Sequence, residues 1–340
     1  MADERPKWMS DLLGWYAITT CALGASTGML DALRAQPGAA REIAERSGTD
    51  ERNTLEWLRA MAAAGYATYD GQQFTIEPMT SFVLGSKFPV DARAIVDFVE
   101  RSGALTGDVV AAIRTGTGIA PQRFHDVYGD AVGRINAPIY RSALVDEWIG
   151  GCDGVTDELL RGGRIADLAS GTGEAVLLMA RAFPAAEVTA YDLDEDLVES
   201  TVTRARTEGL ANVRGVAAGT NAMPRDTYQL VTCLDSFHHL GDPASVASEV
   251  KSSLAPGGVF MVAETASSGD LVTDLQSPMS AIVFSTGLMY CLQENLRNGG
   301  AGQSGGDGPA WAMRAFEAAG FSSVSTRESP TGFRVFAARR

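Results

Sequence analysis

Three features of the sequence predict an α/β fold: a doubly wound, mostly parallel sheet of seven strands ending in an antiparallel C-terminal hairpin, behind a mainly helical N-terminal domain. The first is the stretch Arg164 to Asp194, which reads as strand, glycine turn, helix and strand. The second is the alternation of short apolar runs with helical patterns that follows it, closing on two β-rich runs. The third lies near the N-terminus, where two short helical patterns precede a hairpin signal, the layout of a winged helix-turn-helix.

In chain order, Trp8 to Leu33 mixes apolar and small residues with few charges, which predicts one or two helices apolar on most faces. Such a surface suits an ordinary core or a dimer interface equally. Arg41 to Asp50 predicts a short helix and turn. Asn53 to Ala64 predicts a second helix with Leu55, Leu58, Met61 and Ala62 on one side, stopped by Gly65. Tyr66 to Ile76 alternates around the hairpin signal Asp70-Gly71. These elements make a winged helix-turn-helix within residues 1–90. Charge argues against a DNA reader: between Asp31 and Glu77 five arginines face eight acids, and Glu51 and Glu56 sit on the would-be recognition helix. The module is read as a dimerisation and lid-supporting domain, with a DNA-binding regulator as the weaker alternative.

Residues 91–160 predict three helical stretches, broken at Thr115 to Pro121 and at Gly150-Gly151. Between Phe124 and Trp148 they carry aromatics and His125, a set suited to roof a substrate pocket, although a single histidine near a helix start serves as well as a cap. Residues 161–340 predict the sheet. After the first βαβ unit come a helix over Asp196 to Glu208 and strands over Asn212 to Ala218 and Tyr228 to Leu234. A helix over Pro243 to Leu254 follows, then the turn Ala255-Pro256-Gly257-Gly258 and a strand over Gly258 to Ala263. A helix over Trp311 to Ala319 and two runs, Phe321 to Thr326 and Gly332 to Ala338, complete it. The ligand of such a sheet belongs at the carboxyl ends of the strands. The glycine-rich run Asn298 to Gly308 lacks the Lys-Ser/Thr of a phosphate loop and is read as a mobile loop beside the pocket.

The 340 residues, 45% hydrophobic and 21% charged, suffice for two domains with substantial cores. No apolar run approaches a membrane span, and the first residues lack a signal-peptide pattern, so an intracellular, cytoplasmic protein is expected. Cys21, Cys152, Cys233 and Cys291 lie far apart and read as buried free thiols. A net charge of −14 argues against a polyanionic partner, since nucleic-acid affinity comes from clustered Lys and Arg.

Asp192, about twenty residues beyond the glycine turn, is placed to accept hydrogen bonds from a ribose diol, which implies a nucleoside ligand. A pyrophosphate usually wants a third glycine, where this chain has Val176, and Glu174 opens the helix with a charge that repels phosphate. The pattern D-x-x-x-G-x-G from Asp167 to Gly173, with Asp192, resembles the cofactor loop of class I S-adenosylmethionine-dependent methyltransferases, whose ligand carries no phosphate. Nearly the whole chain resembles the members with an N-terminal winged helix, of the bacterial small-molecule, natural-product type. The resemblance extends to Leu230 to Asp235, Phe237-His238-His239-Leu240-Gly241-Asp242-Pro243, Leu254 to Gly258 and Ala318 to Phe321.

The resemblance implies a Rossmann-like catalytic domain with S-adenosylmethionine held by Asp167, Ala169, Gly171, Gly173, Asp192, Leu193, Gly219, Thr220, Asn221, Asp235 and Ser236. It also implies a homodimer joined through the N-terminal domain, and substrate contacts at His125, Tyr140 and Trp148. Two positions depart from the family: Ala169 replaces a glycine, and Ala218 to Asn221 offers no aspartate for the adenine amino group, leaving Thr220 or Asn221 to substitute.

Methyl transfer from a sulfonium is an in-line displacement in which positioning supplies much of the rate. A hydroxyl acceptor also needs a base with a pKa near neutrality, as histidine has at about 6.5. By position His238 is the better candidate, with His239 and Glu264 as the other catalytic groups. C-methylation or a non-methylating use of the sulfonium charge is the alternative chemistry. No metal is expected: His125 is the only other histidine, and no H-x-x-x-H spacing exists.

Overall fold

The computed structural model describes residues 6–84 and 91–340 and divides into two compact units, Met1–Gly103 and Ala104–Arg340. In the first unit, helices Met29–Ala35, Ala40–Ser47 and Glu51–Ala63 precede an antiparallel hairpin of β1 (Ala67–Tyr69) and β2 (Phe74–Ile76). Asp50 starts the third of these helices: its carboxylate accepts from the Asn53 N–H at 2.9 Å, which moves the start ahead of the expected Asn53. Leu30, Leu33, Ile43, Leu58 and Met61 form the core. Trp57 joins them, donating its indole N–H to Thr20 O at 2.9 Å. A side chain at Gly24 would strike the Trp57 ring at 2.4 Å, so that helix crossing requires glycine. The long helix Lys7–Ser26 buries only Cys21, Ala22 and Gly24, while Trp8, Leu12, Leu13, Trp15, Tyr16 and Leu23 are exposed. Helix Ala92–Ser102 belongs to this unit, and its Arg93 pairs with Asp31.

The second unit opens with helices Thr106–Thr115, Pro121–Tyr128 and Ala131–Ala143, a π-turn over Leu144–Ile149, and helix Val155–Leu160. Pro138 inside the third helix lacks the N–H that would bond the preceding turn, and the π-turn follows at that helix's end. The sheet contains β3 (Arg164–Leu168), β4 (Glu187–Asp192), β5 (Val213–Ala217), β6 (Tyr228–Leu234), β7 (Leu254–Thr265), β8 (Ser323–Glu328) and β9 (Phe333–Arg339). Its order is β5-β4-β3-β6-β7-β9-β8, with β3 to β7 parallel and β9 inserted antiparallel between β7 and β8. The sheet is therefore the seven-stranded, doubly wound one expected, and its strand order reverses between β3 and β6.

Strand alternation distributes the core. Ile165 and Leu230 face one cluster with Val176 and Met179, whereas Ala166 and Val231 face another with Phe260 and Phe316. β7 is longer than the expected Gly258 to Ala263: it begins at Leu254, and the Pro-Gly-Gly turn is a bulge, with Tyr228 opposite Leu254 but Leu230 opposite Val259. No helix among the described residues is long and apolar enough to cross a membrane.

Candidate active site

The carboxyl ends of β3, β4, β6 and β7 carry the acidic and histidine residues singled out in the sequence. At the end of β3, Asp167 is buried and accepts from the Thr232 hydroxyl at 2.5 Å. Burial pushes its carboxyl up to about 7, against the opposing effect of that hydrogen bond. The chain then turns through Ala169 (φ 54), Gly171 (φ 51) and Gly173 (φ 74), so the alanine that replaces a family glycine holds the left-handed conformation glycine favours. A side chain at Gly173 would meet Thr201 Oγ1 at 2.2 Å, whereas the space beside Gly171 is open. The Ser170 hydroxyl is buried without a protein partner.

At the end of β4, Asp192 braces this turn: its carboxylate accepts from the Gly171 N–H at 2.8 Å and the Asp194 N–H at 3.0 Å. Leu193 beside it is exposed. Glu174 is not a bare charge, because Arg141 at 2.8 Å and Arg204 at 3.0 Å pair with it. The two arginines offset the charge expected to repel phosphate, and the buried Val176 stands where a dinucleotide turn has its third glycine. Gly219 lies near both Leu193 and Asn221, but the Thr220 hydroxyl donates to Glu249 and is committed there.

Asp235, one residue beyond β6, has φ 54, and its carboxylate accepts from Asn136 Nδ2 at 3.1 Å. Burial raises its pKa. Ser236 turns back to Leu234 O at 3.0 Å, and the Tyr140 hydroxyl donates to the same carbonyl at 3.2 Å. A 3₁₀ turn over Phe237–His239 follows, and both histidines are buried. His238 Nδ1 pairs with Glu264, the end of β7, whose other oxygen accepts the His238 N–H at 3.2 Å. Burial disfavours the charged imidazole, yet Glu264 and Cys291 together outweigh it and hold His238 well above the ordinary histidine value.

The His239 ring lies 4.2 Å from that of His238, centroid to centroid, and 4.8 Å from Tyr290. Its Nδ1 is 3.0 Å from Glu294 Oε2, a charge contact whose alignment falls short of a hydrogen bond. Burial works against its charge, but Glu294 brings it up to about 9. Cys291 completes the group. Burial raises a thiol, but the two imidazoles, His238 first, bring this one down to about 6.

The remaining predicted residues separate. His125 binds Asp194 at 2.8 Å, beside the glycine turn, and Phe124 and Tyr128 of its helix pack on Tyr290 at 4.6 and 5.5 Å. Trp148, expected as a substrate contact, is fully buried with its indole N–H donating to Ser329 at 3.2 Å; its packing serves the core instead. Sequence reasoning missed Asn136, Tyr290, Cys291, Glu294 and Asn295. Asn295 is central to the turn: its Nδ2 donates to His238 O at 2.8 Å, and its Oδ1 accepts from the Gly302 and Gln303 N–H groups at 2.7 and 3.1 Å.

Comparison with known proteins agrees with this geometry. Residues 165–258 match a methyltransferase domain, and residues 16–80 match an Rv2258c-like winged HTH domain. The ubiquinone/menaquinone biosynthesis C-methyltransferase UbiE of Desulfotalea psychrophila is 31% identical over 105 residues, 30% of this chain and 42% of that protein. The chain spans less than half the length of the curated relatives it matches. A putative O-methyltransferase of Nostoc punctiforme superposes over 100% of both chains with TM-score 0.71 at 17% identity. The O-methyltransferase NcsB1 from neocarzinostatin biosynthesis, solved with S-adenosylmethionine and 2-hydroxy-5-methyl naphthoic acid, superposes over 100% of both chains with TM-score 0.66 at 16% identity. The chain thus carries a segment similar to an Rv2258c-like winged helix-turn-helix domain, then a segment similar to a methyltransferase domain, and has the fold of the O-methyltransferases on which it superposes.

Proposed function

We propose that the protein binds S-adenosylmethionine at the Ala169–Gly173 turn and transfers its methyl group to a small molecule in natural-product biosynthesis, with a hydroxyl as the favoured acceptor. The observation that carries this reading is the pairing, along one sheet edge, of an open glycine turn braced by Asp192 with a buried His238–Glu264 dyad. The residues fit the cofactor: Ser170 has an unpartnered hydroxyl, Gly171 leaves open space, and Leu193 offers an exposed apolar face. Asp192 would hold the ribose, and Gly219 and Asn221 the adenine side. When bound, the sulfonium supplies an electrophilic methyl carbon.

The chain's own residues orient the acceptor and move its proton. Glu264 occupies His238 Nδ1, which leaves Nε2 as the proton-accepting atom. With an acceptor hydroxyl beside it, Nε2 would take the hydroxyl proton as the oxygen becomes the nucleophile for the methyl group, leaving S-adenosylhomocysteine as the other product. His239 and Glu264 are the other catalytic candidates, while Tyr140 and His125 position the two ends of the site. A second reading, a carbon acceptor, draws on the likeness to UbiE within the methyltransferase domain. We place the protein in the cytoplasm and propose a homodimer, the latter supported by the exposed apolar residues of helix Lys7–Ser26.

Calorimetry with S-adenosylhomocysteine tests the cofactor site. Wild type should bind, and Asp192→Ala should weaken binding at least tenfold, about 1.4 kcal/mol. Equal affinities would refute the assignment. Quantifying methylated product and S-adenosylhomocysteine in one reaction tests the transfer: the two should appear in equal amounts, and product without S-adenosylhomocysteine would remove methyl transfer.

A further inference from the structure

We propose that His238, His239 and Cys291 form a binding site for a divalent transition-metal ion of borderline softness, Zn²⁺ foremost, beside the methyl-transfer site. One donor atom from each residue lies within 4.8 Å of the others, and all three side chains are at least nine-tenths buried. Two imidazoles and a thiol are the donor set that zinc takes, and three protein ligands leave a fourth position for water or an acceptor oxygen.

Independent features of the surroundings point the same way. Each histidine has a carboxylate at Nδ1, Glu264 for His238 and Glu294 for His239, which is how metal-bound histidines are oriented, leaving Nε2 to face the ion. The donors also sit on fixed backbone. Asn295 and Asn298 hold the carbonyls of His238 and His239 at 2.8 and 2.9 Å, and Cys291 ends a π-turn, Gly287–Cys291, a local geometry frequent at functional sites. Carboxylates stand beside both imidazoles, that of Glu264 buried, so the surroundings suit a dication.

Bond lengths of about 2.0–2.3 Å imply donor separations of roughly 3.3–3.6 Å in a tetrahedral site, which atoms already within 4.8 Å of one another reach with at most small side-chain rotations. The His239–Glu294 contact, close but misaligned, has the slack for that movement. The metal itself does not depend on the methyltransferase reading, but its use does: in the loaded protein His238 Nε2 is a ligand, the proton-accepting role belongs to the metal-free protein, and the ion would bind the acceptor oxygen instead.

Titration of the chelator-treated full-length protein with Co²⁺ tests the site. Wild type should take up one equivalent with a thiolate-to-cobalt charge-transfer band that Zn²⁺ abolishes. Cys291→Ser should lose the band, His239→Ala should weaken binding at least tenfold, and Glu264→Gln should weaken it about 10–100-fold. Cys21→Ser, in the other unit, should behave as wild type. Absence of the band from wild type overturns the proposal, as does a band that survives Cys291→Ser or binding unaltered in His239→Ala. S-adenosylhomocysteine calorimetry on the same samples separates the two readings: metal uptake with no cofactor binding removes the methyltransferase assignment and leaves the metal site.

Discussion

Glu264 sets the protonation of His238, and the sign of its effect yields a pH prediction. The neutral imidazole accepts a proton, and Glu264 raises the pKa above the ordinary 6.5, so the neutral form gains population only as pH rises past that value. In chelator-treated enzyme, kcat should climb with pH along a limb above 6.5. The ordinary histidine value taken from sequence would place that limb too low. Glu264→Gln removes the larger raising charge and leaves Cys291 alone against burial, which lowers the pKa, so the limb should move to lower pH while kcat falls roughly 10²–10⁴-fold. Superimposable pH–kcat profiles for the two proteins would dismiss His238 as the base. Asp192, His238 and Glu264 were legible in the sequence because each ends or follows an apolar strand, where topology places ligands. Cys291, Glu294 and Tyr290 were not. They lie beyond the sheet's parallel strands on the helical stretch 280–297, and only tertiary packing brings them to the histidines.

At the scale of elements, helix Leu292–Arg297 is the part that fixes the histidine turn. Asn295 is fully buried and joins three segments: the carbonyls of His238 and Gly241, and the backbone N–H groups of Gly302 and Gln303. The glycine-rich run read from sequence as a mobile loop is therefore tied down in its middle, and further held where Gly306 O accepts from the Ser267 hydroxyl at 2.8 Å. Composition showed the glycines but not their partners. Asn295→Ala would strand several buried polar groups at about 1–3 kcal/mol each. Urea unfolding should show a lower midpoint at unchanged slope, and limited proteolysis should cut first within 298–308. A wild-type midpoint with a wild-type cleavage pattern would show that the asparagine does not hold the loop. The strands themselves were nearly all legible, since continuous Val, Ile, Leu and Ala runs between turn signals mark buried parallel strands. The helices of residues 104–160 were less so, because Pro138 sits within one helix and π geometry follows it, neither of which hydrophobic periodicity records.

At the scale of the molecule, charge and exposed apolar surface give opposite signals about partners. The chain carries a net charge of −14, and on helix Glu51–Ala63 Glu56 is already paired with Arg52 at 2.6 Å and Arg59 at 2.5 Å, so those arginines are committed to a carboxylate. Phosphate recognition has little to draw on there. Helix Lys7–Ser26, in contrast, exposes Trp8, Leu12, Leu13, Trp15, Tyr16 and Leu23, side chains that bury large area when covered. A self-complementary contact that covers them on two chains would approach the roughly 800 Å² per partner of a standard stable interface. Light scattering on the wild type should give twice the chain mass of 35.9 kDa. Leu12→Glu combined with Trp15→Glu places like charges in the contact and should give the single-chain mass with an unchanged circular dichroism spectrum, since both residues are solvent-exposed in the isolated chain. A monomeric wild type, or a double variant that stays dimeric, would remove this helix as the interface. Electrophoretic retention of DNA that is specific, salt-sensitive and lost in Arg52→Glu would instead assign the winged helix to a nucleic-acid partner.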